Sequence, residues 1–181
     1  MLMRTDEDLA RAFAAGDDLA FAALYNRYKR PLYVFALRML RRPEKARDAF
    51  QSAFLKTFER RAELARVLRF KSWLFTVVRN ICLNELRRSK SLIQTVEDMD
   101  DVQGEDVGAM LEREDEARVL MEVIERLNPE YREVLLLREY EDLAYDEIAA
   151  ITGSTESSVK SRLFRARQQL HRIMKPYVAR P

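Results

Sequence analysis

The sequence predicts an all-α protein with two helical domains joined by a flexible acidic linker. Apolar residues recur at helical rather than alternating spacing along nearly the whole chain. Only 4 Gly and 5 Pro occur among the 181 residues, so few points interrupt this pattern. Residues 89–112 lose the periodicity and gain acidic residues, Ser and Gln. We therefore expect a first domain at 1–90, a linker at 91–112 and a second domain at 113–181.

Local signals place the helices of the first domain. Thr5, followed by three acidic residues, is typical of an N-cap, and Gly16 is expected to end that helix. The apolar pattern continues over 21–40, where Pro31 marks a kink or a junction. Pro43 lies where a first helical residue is expected. An Arg-rich connector then precedes a long helix that begins at Phe70 and is expected to end near residue 88.

The second domain has the pattern of a helix-turn-helix. A helix is expected at 114–127, and Asn128 then caps the next helix, which is expected to end near residue 139. A short helix at 145–152, a turn with Gly153 and a final helix from Thr155 to about residue 174 follow. A short helix, a Gly-containing turn and a long helix can place the long helix in a major groove.

The near-neutral net charge of +2 conceals blocks of opposite sign. Residues 1–90 carry a net charge of +10, and residues 91–116 carry −9. Residues 117–147 carry −5, and residues 148–181 carry +6. Such segregation indicates cationic surfaces that bind an anionic partner, although ordinary ion pairs on helix surfaces are the alternative.

The small number of reactive residues excludes several classes of protein. One Cys and one His cannot form a disulfide framework or easily a four-ligand zinc site, and a Ser-His-Asp catalyst would have to use His171. Cys82 lies in an apolar stretch and is expected to be a buried thiol. We expect no cofactor and no metal. No apolar run approaches the roughly 20 residues of a membrane span, which favours a cytoplasmic protein without membrane insertion.

The final helix has two contrasting faces when its residues are placed about 100° apart. One face is an apolar stripe of Val159, Leu163, Ala166, Leu170 and Ile173. The other face carries Lys160, Ser161, Phe164, Arg165 and Gln168. A Phe between polar and basic side chains suits a thymine methyl, with the neighbours free for guanine edges, phosphates and hydrogen bonds. The alternative is that Phe164 packs on a neighbouring helix.

The helix that begins at Phe70 carries a second polar and basic face. Its expected core stripe is Phe70, Trp73, Leu74, Val77 and Ile81. The other side carries Arg69, Ser72, Thr76, Arg79, Asn80, Leu83 and Arg87. Together with arginines of the connector, this face can bind phosphates and base edges. Trp73 belongs either to the core or beneath an unstacked base.

These residues resemble the extracytoplasmic-function (ECF) group of bacterial RNA polymerase sigma factors, in the sigma-70 family. Residues 127–138 resemble the helix before the family's helix-turn-helix, and residues 158–167 resemble its recognition helix. Residues 70–74 with Arg79 and Asn80, and 86–88 after them, resemble its promoter-melting segment. The resemblance implies a sigma region 2 domain before the linker and a region 4 domain after it. Such a protein is an initiation factor and not an enzyme.

The resemblance also implies the sites. The residues expected to read the minus-35 element are Thr155, Ser158, Lys160, Ser161, Phe164, Arg165 and Gln168. Those expected to read the melted minus-10 element are Arg66, Arg69, Lys71, Ser72, Trp73, Thr76, Arg79, Asn80 and Arg87. Asp48, Gln51 and Phe54 match a segment that docks on core polymerase.

The partners implied are promoter DNA, core RNA polymerase, through the clamp helices of its largest subunit and the flap of its second subunit, and an anti-sigma factor. The protein would lie with the nucleoid in the holoenzyme, or near the membrane when an anti-sigma factor holds it there. The acidic linker either lines a cationic channel of polymerase or is a tether.

Two other functions compete with this interpretation. A helix-turn-helix regulator that is not a polymerase subunit explains the second domain but leaves the basic helix of the first unused. A helical enzyme would use carboxylate pairs such as Glu44 and Asp48, or Asp142 and Asp146. These pairs are more simply surface charge, because neither a metal-ligand cluster nor a phosphate loop lies beside them in the sequence.

Overall fold

A computed structural model describes residues 4–94 and 122–178, and all regular structure within these two stretches is helical. The first stretch contains α1 (Asp6–Ala14), α2 (Asp18–Leu40), α3 (Pro43–Glu59), a 3-10 helix (Arg61–Arg66) and α4 (Phe70–Gln94). The second contains a helical turn at 122–125 and then α5 (Pro129–Glu139), α6 (Tyr145–Thr152) and α7 (Glu156–Val178). We call residues 4–94 the N-terminal helical part and residues 122–178 the C-terminal helical part. The all-α prediction is confirmed.

Most helices begin where the local signals place them. The Asp8 N–H donates to Thr5 Oγ1 at 3.1 Å, and the Thr5 N–H donates to Asp8 Oδ2 at 3.2 Å, which forms a capping box. Pro43 is the first residue of α3, and the Asn128 side chain accepts from the Glu130 N–H at 3.2 Å. These caps were predictable because each depends on residues within three positions of one another.

Pro31 does not divide α2, so of the two alternatives expected there, a kink or a junction, the junction is excluded. The helix runs unbroken from Asp18 to Leu40 although the proline ring lacks an N–H donor. Leu24, Tyr28, Leu32 and Phe35 are all buried on the same helix. Their packing offsets the lost hydrogen bond, because tertiary burial contributes more to helix stability than local propensity does.

Two helix ends differ from the sequence prediction, and part of the prediction lies outside the described residues. α4 continues to Gln94 and so enters the segment assigned to the linker, while α7 continues to Val178. The remainder of the predicted linker is outside the described stretches. Of the helix expected at 114–127, only residues 122–127 are described, and 122–125 are helical.

The core side of α4 is displaced from the predicted stripe. Phe70 and Leu74 are buried as expected, but the other buried apolar residues are Phe75, Val78 and Cys82. The expected core residues Trp73, Val77 and Ile81 are only partly buried. The difference arises because α4 is covered on more than one side, by α2 and α3 and also by α6 of the C-terminal helical part.

The N-terminal and C-terminal helical parts pack against each other through a continuous apolar core. α4 contacts α6, and α2 contacts α5. Arg132 on α5 is buried and donates to the carbonyl oxygens of Met39 at 2.9 Å and Leu127 at 2.9 Å, and it also reaches those of Arg38 and Glu125. Its cation therefore lies at the negative end of α2, which favours the contact. Burial lowers the pKa of Arg132 to about 10, so the group stays charged at neutral pH.

Candidate nucleic-acid interface

The helix-turn-helix is formed by α6, the turn at Gly153 and α7. Gly153 has φ 62°, a left-handed conformation that glycine adopts without strain. Thr155 caps α7, since its Oγ1 accepts from the Ser158 N–H at 3.2 Å. The buried Thr152 hydroxyl donates to the Ile148 carbonyl oxygen at 2.7 Å. A polar side chain at this buried position is thereby hydrogen bonded.

α7 presents the two faces that the helical wheel predicted. Val159, Leu163 and Ala166 are buried, and Leu170 and Ile173 pack against them at the edge. On the other face Phe164 is 62% exposed, so it does not pack on a neighbouring helix. The exposed polar and basic side chains around it are those of Lys160, Ser161, Arg165 and Gln168. We call this the α7 face.

Lys160 on the α7 face makes only weak contacts with its neighbours. The Lys160 ammonium is 3.8 Å from the Glu156 carboxylate and lies 5.5 Å from the centre of the Tyr145 ring. Because ion pairs between exposed groups contribute little to stability, this pair leaves the ammonium available to bind another anion.

Thr155 and Ser158 lie at the N-terminus of α7, where backbone N–H groups favour anions.

The connector between α3 and α4 exposes several side chains beside the start of α4. Leu64 is fully buried and anchors the 3-10 helix. Arg66 and Arg69 are exposed on either side of Leu68, which is 86% exposed. The sequence interpretation did not include Leu68 among the residues expected to contact DNA. The only sequence signal for such a role is its position between Arg66 and Arg69.

The polar face of α4 is largely covered by carboxylates of the C-terminal helical part. Arg79 binds the Glu133 carboxylate with two nitrogens, at 2.8 and 3.1 Å. Arg69 is 2.7 Å from the Asp146 carboxylate, Lys71 is 3.4 Å from that of Glu141, and Ser72 donates to Glu147 at 3.2 Å. We call Arg69, Lys71, Ser72 and Arg79 the α4 face.

The other residues expected on this side of α4 have different surroundings. Asn80 and Arg87 are exposed. The Thr76 hydroxyl donates to the Ser72 carbonyl oxygen at 2.8 Å and is thus bonded to its own helix. Trp73 is partly buried and stacks on Phe70, with ring centres 6.0 Å apart. Its ring therefore contacts the core, and the residue stays partly exposed.

Two carboxyl groups opposite α4 respond differently to their surroundings. The Arg69 guanidinium, which donates a hydrogen bond to Asp146, lowers the pKa of that carboxyl below its ordinary value. Burial raises the pKa of Glu141, an effect that the nearby Lys71 ammonium only partly offsets. Both carboxylates lie against cations of the N-terminal helical part.

α3 carries the residues expected to dock on polymerase. Asp48 and Gln51 are exposed, but Phe54 is buried, with its ring 4.8 Å from that of Tyr25. Phe54 therefore supports the surface from below. The large exposed apolar residues of α3 are Leu55, at 60%, and Phe58, at 46%, and the sequence interpretation assigned neither of them to docking. A helical wheel of α3 would have placed Leu55 away from the buried Phe54.

Beside Asp48, a polar cavity of about 380 Å³ lies between α3 and α4. Its lining includes Lys45, Asp48, Ser52, Lys56, Glu85 and Arg88. Lys45 is 2.9 Å from the Glu85 carboxylate, so its charge is paired across the two helices.

Among the described residues, no group of three or more His, Cys, Asp or Glu side chains is placed to hold a metal ion. Nor does any helix of this part of the chain have the length and apolarity needed to cross a membrane.

Comparison with protein families gives two matches in the same order as the two helical parts. The Sigma-70 region 2 model matches residues 24–92, and the Sigma-70 region 4 model matches residues 117–170.

Whole proteins of similar sequence include the RNA polymerase sigma-H factor of Pseudomonas aeruginosa, 30% identical, with 94% of each chain covered. The ECF RNA polymerase sigma factor SigM of Mycobacterium tuberculosis is 31% identical, with 94% of this chain and 85% of that protein covered.

Two solved structures share the fold. The Bartonella quintana sigma factor RpoE, crystallised with the anti-sigma factor NepR, has a TM-score of 0.70 at 24% identity, with 88% of this chain and 98% of that chain covered. CnrH in complex with the cytosolic domain of CnrY also has a TM-score of 0.70, at 23% identity, with 94% of this chain and 97% of that chain covered.

Proposed function

Because the chain belongs to the ECF group of the sigma-70 family of RNA polymerase sigma factors, we propose that its two helical parts divide promoter recognition between them. The chain directs RNA polymerase to specific promoters, and sigma factors are non-catalytic initiation factors. The alternative of a DNA-binding regulator outside the polymerase is wrong, because the sigma relatives match 94% of this chain.

The α7 face is proposed to read the minus-35 element as duplex DNA. The observation that carries this is Phe164, which is 62% exposed on the side of α7 opposite its buried stripe. In a major groove its ring would contact a thymine methyl, while Lys160 and Arg165 would reach guanine edges or phosphates. Ser161 and Gln168 would donate or accept hydrogen bonds there, and Thr155 and Ser158 would contact phosphate at the helix N-terminus.

The connector and α4 are proposed to read the minus-10 element after melting. Extruding a base costs a few kcal/mol of stacking and pairing, so a site that binds the extruded base selects sequence. Arg66 and Leu68 are exposed at the connector, with Asn80 and Arg87 further along α4. The partly exposed ring of Trp73 would be the surface on which an unstacked base packs. The remaining phosphate and base contacts are assigned to Arg69, Lys71, Ser72, Thr76 and Arg79.

α3 is proposed to dock on the clamp helices of the polymerase largest subunit. Asp48 and Gln51 provide polar contacts, and the exposed Leu55 and Phe58 provide apolar area, the combination that protein interfaces use. The C-terminal helical part would contact the flap of the second subunit. Polymerase supplies the nucleotide chemistry, so this chain needs no catalytic group or cofactor.

An anti-sigma factor is a proposed partner, because the solved structure of the Bartonella quintana sigma factor RpoE is a complex with the anti-sigma factor NepR. The proposed function places the chain with polymerase on the chromosome, in the cytoplasm. An anti-sigma factor anchored in a membrane would instead hold the chain at that membrane.

The proposed division is tested by transcription with purified core polymerase from a promoter library, with and without the chain. Specific transcripts are expected only when the chain is present, and their promoters should share an upstream and a downstream element. Phe164→Ala should reduce selection at the upstream element alone, and Asn80→Ala at the downstream element alone. Leu19→Ala, which also truncates an exposed apolar residue, is the matched control. If both elements weaken equally in either test variant, the proposed division fails.

A further inference from the structure

The connector between α3 and α4 exposes a short segment that is held between two buried residues. Leu64, in the 3-10 helix, and Phe70, the first residue of α4, are both fully buried. Residues 65–69 join them and include the exposed Arg66, Leu68 and Arg69. We call residues 65–69 the connector tip. Because so few residues join the two buried positions, the placement of the tip depends on how firmly each end is held.

α1 contacts both ends of the connector tip. It packs against the 3-10 helix, where the Arg61 guanidinium lies 5.5 Å from the centre of the Phe13 ring. At the other end, Glu7 of α1 reaches the start of α4, and its Oε1 accepts a hydrogen bond from the Phe70 N–H at 3.1 Å. The two ends of the tip are therefore fixed to one helix.

The hydrogen bond to Glu7 satisfies a group that α4 cannot satisfy by itself. The first N–H groups of a helix have no partner within the helix, and their positive end favours a carboxylate. The first turn of α4 contains no acidic residue. Glu7 supplies the carboxylate although it lies 63 positions away from Phe70 in the sequence. The contact thus fixes the backbone at the residue that directly follows the connector tip.

The carboxylate next to Glu7 holds the ring of the same residue through Tyr28. The Tyr28 hydroxyl donates a hydrogen bond to Asp6. The Tyr28 ring contacts the Phe70 ring, with centres 5.8 Å apart, and Phe70 in turn stacks on Trp73 at 6.0 Å. Two consecutive carboxylates of α1 therefore hold the backbone N–H and the ring of Phe70.

We propose that Glu7 is a positioning residue for the reading of the minus-10 element, because its carboxylate fixes the start of α4 and with it the connector tip. This inference rests on the proposed minus-10 function of the connector and α4. Glu7 acts through Phe70 and does not itself bind DNA. A site that selects among bases needs its contacts held to within about 0.5 Å. Loss of the hydrogen bond should therefore lower selectivity at the downstream element and spare the upstream one.

Two variants of Glu7 separate the reach of the side chain from its charge. Glu7→Asp keeps the charge but is one methylene shorter, so the hydrogen bond to Phe70 is lost. Glu7→Gln loses the charge but keeps an acceptor oxygen at the same reach. The matched control is Glu130→Asp, because Glu130 is likewise the second residue of its helix and is exposed.

The first measurement is transcription from the promoter library by core polymerase with each variant. Glu7→Asp should lower the preference for favoured over unfavoured bases in the downstream element about fivefold, the usual effect of losing a hydrogen bond at a helix N-terminus. Selection at the upstream element should stay within about twofold of wild type, and Glu7→Gln and Glu130→Asp should stay within that range at both elements. No loss at the downstream element in Glu7→Asp, an equal loss at both elements, or the same loss in Glu7→Gln would overturn the proposal.

The second measurement is amide hydrogen exchange in the free chain, followed by NMR. The Phe70 N–H should exchange about tenfold faster in Glu7→Asp than in wild type, because exchange follows local opening. In Glu7→Gln it should exchange at close to the wild-type rate. The reference is the N–H of the buried Leu9, which donates to the Thr5 carbonyl oxygen within α1 at 3.0 Å. If Leu9 accelerates as much as Phe70, Glu7 stabilises α1 in general and the positioning role is refuted. Unchanged exchange at Phe70 in Glu7→Asp would also refute it.

These outcomes separate the inference from the function on which it rests. If the wild-type chain selects a downstream element and Glu7→Asp selects it equally well, the positioning role alone fails. If the wild-type chain selects no downstream element, the proposed minus-10 function fails and the inference fails with it, whatever the exchange rate of the Phe70 amide.

Discussion

Truncation of Phe164 to Ala should weaken binding to the upstream promoter element while leaving the fold intact. The residue is 62% exposed, so about two-fifths of its surface is covered in the free chain. Full burial of a Phe side chain is worth about 1.5–3 kcal/mol, so truncation here costs about 0.6–1.2 kcal/mol of packing. Ala is the better helix former by up to about 0.7 kcal/mol, which offsets much of that cost.

The loss on DNA should be larger than the loss in stability. Burying the exposed three-fifths of the ring against a base is worth about 0.9–1.9 kcal/mol on the same scale. Since 1.4 kcal/mol corresponds to a factor of ten, affinity for the duplex element should fall roughly 5- to 20-fold.

The assay compares duplex binding, polymerase binding and urea unfolding for Phe164→Ala and two reference variants. Leu163→Ala on the same helix truncates a side chain that is 2% exposed and should cost about 2–5 kcal/mol of stability. Leu19→Ala should change none of the three measurements by more than about 0.5 kcal/mol. A Phe164→Ala chain that unfolds as easily as Leu163→Ala, or loses polymerase binding, would refute the reasoning.

Three further predictions concern the fold and the contact between the two helical parts. Because burial raises the pKa of Cys82 to about 12, the native chain should react slowly with iodoacetamide at pH 8 and rapidly in urea, as mass spectrometry would show. Gly153→Ala should lower the free energy of unfolding by about 1–2 kcal/mol, because the residue has a left-handed φ of 62°. No atom lies within 4 Å of an added Cβ, so the loss would come from backbone strain alone. Urea unfolding would measure this loss, and Gly153→Asn is the comparison because Asn adopts the left-handed conformation more readily than Ala. The Asp146 carboxyl should titrate by NMR below its ordinary pKa. Its pairing with Arg69 therefore contributes stability at a pH above the ordinary pKa, and this stability is lost as the pH falls through the lowered pKa. Arg69→Ala should raise the pKa of Asp146 towards its ordinary value.

Features that depend on a few neighbouring residues could be predicted from the sequence. The caps at Thr5, Asn128 and Thr155 each form within three positions of the residue they serve. The two faces of α7 followed from helical spacing because this helix buries a single stripe. The burial of Cys82 was predicted correctly. The wheel was less accurate for the rest of α4, where Trp73 proved only partly buried and Phe75 and Val78 fully buried, because α4 has neighbours on several sides.

Features that depend on tertiary contact could not be predicted in the same way. The unbroken α2 depends on the packing of residues on either side of Pro31, which no local rule describes. Similarly, the burial of Phe54 on α3 depends on the rings of Phe21, Tyr25 and Phe50, and only the positions of α2 and α3 determine it. A motif can thus identify the right helix for a site and still select a residue that supports its surface from within.

Charge segregation in the sequence has an ambiguity that the α4 face illustrates. A basic helix face indicates that some anion binds there, but it does not distinguish a phosphate from a carboxylate of the same chain. Residues 117–147 carry a net charge of −5, and this block contains Glu133, Glu141, Asp146 and Glu147, the four carboxylates described above as contacting the α4 face. A cationic face and an acidic segment in one chain therefore predict two competing complexes, one intramolecular and one with nucleic acid. Which complex forms depends on salt and on the number of phosphates offered, so measurements of DNA binding by this chain must vary both.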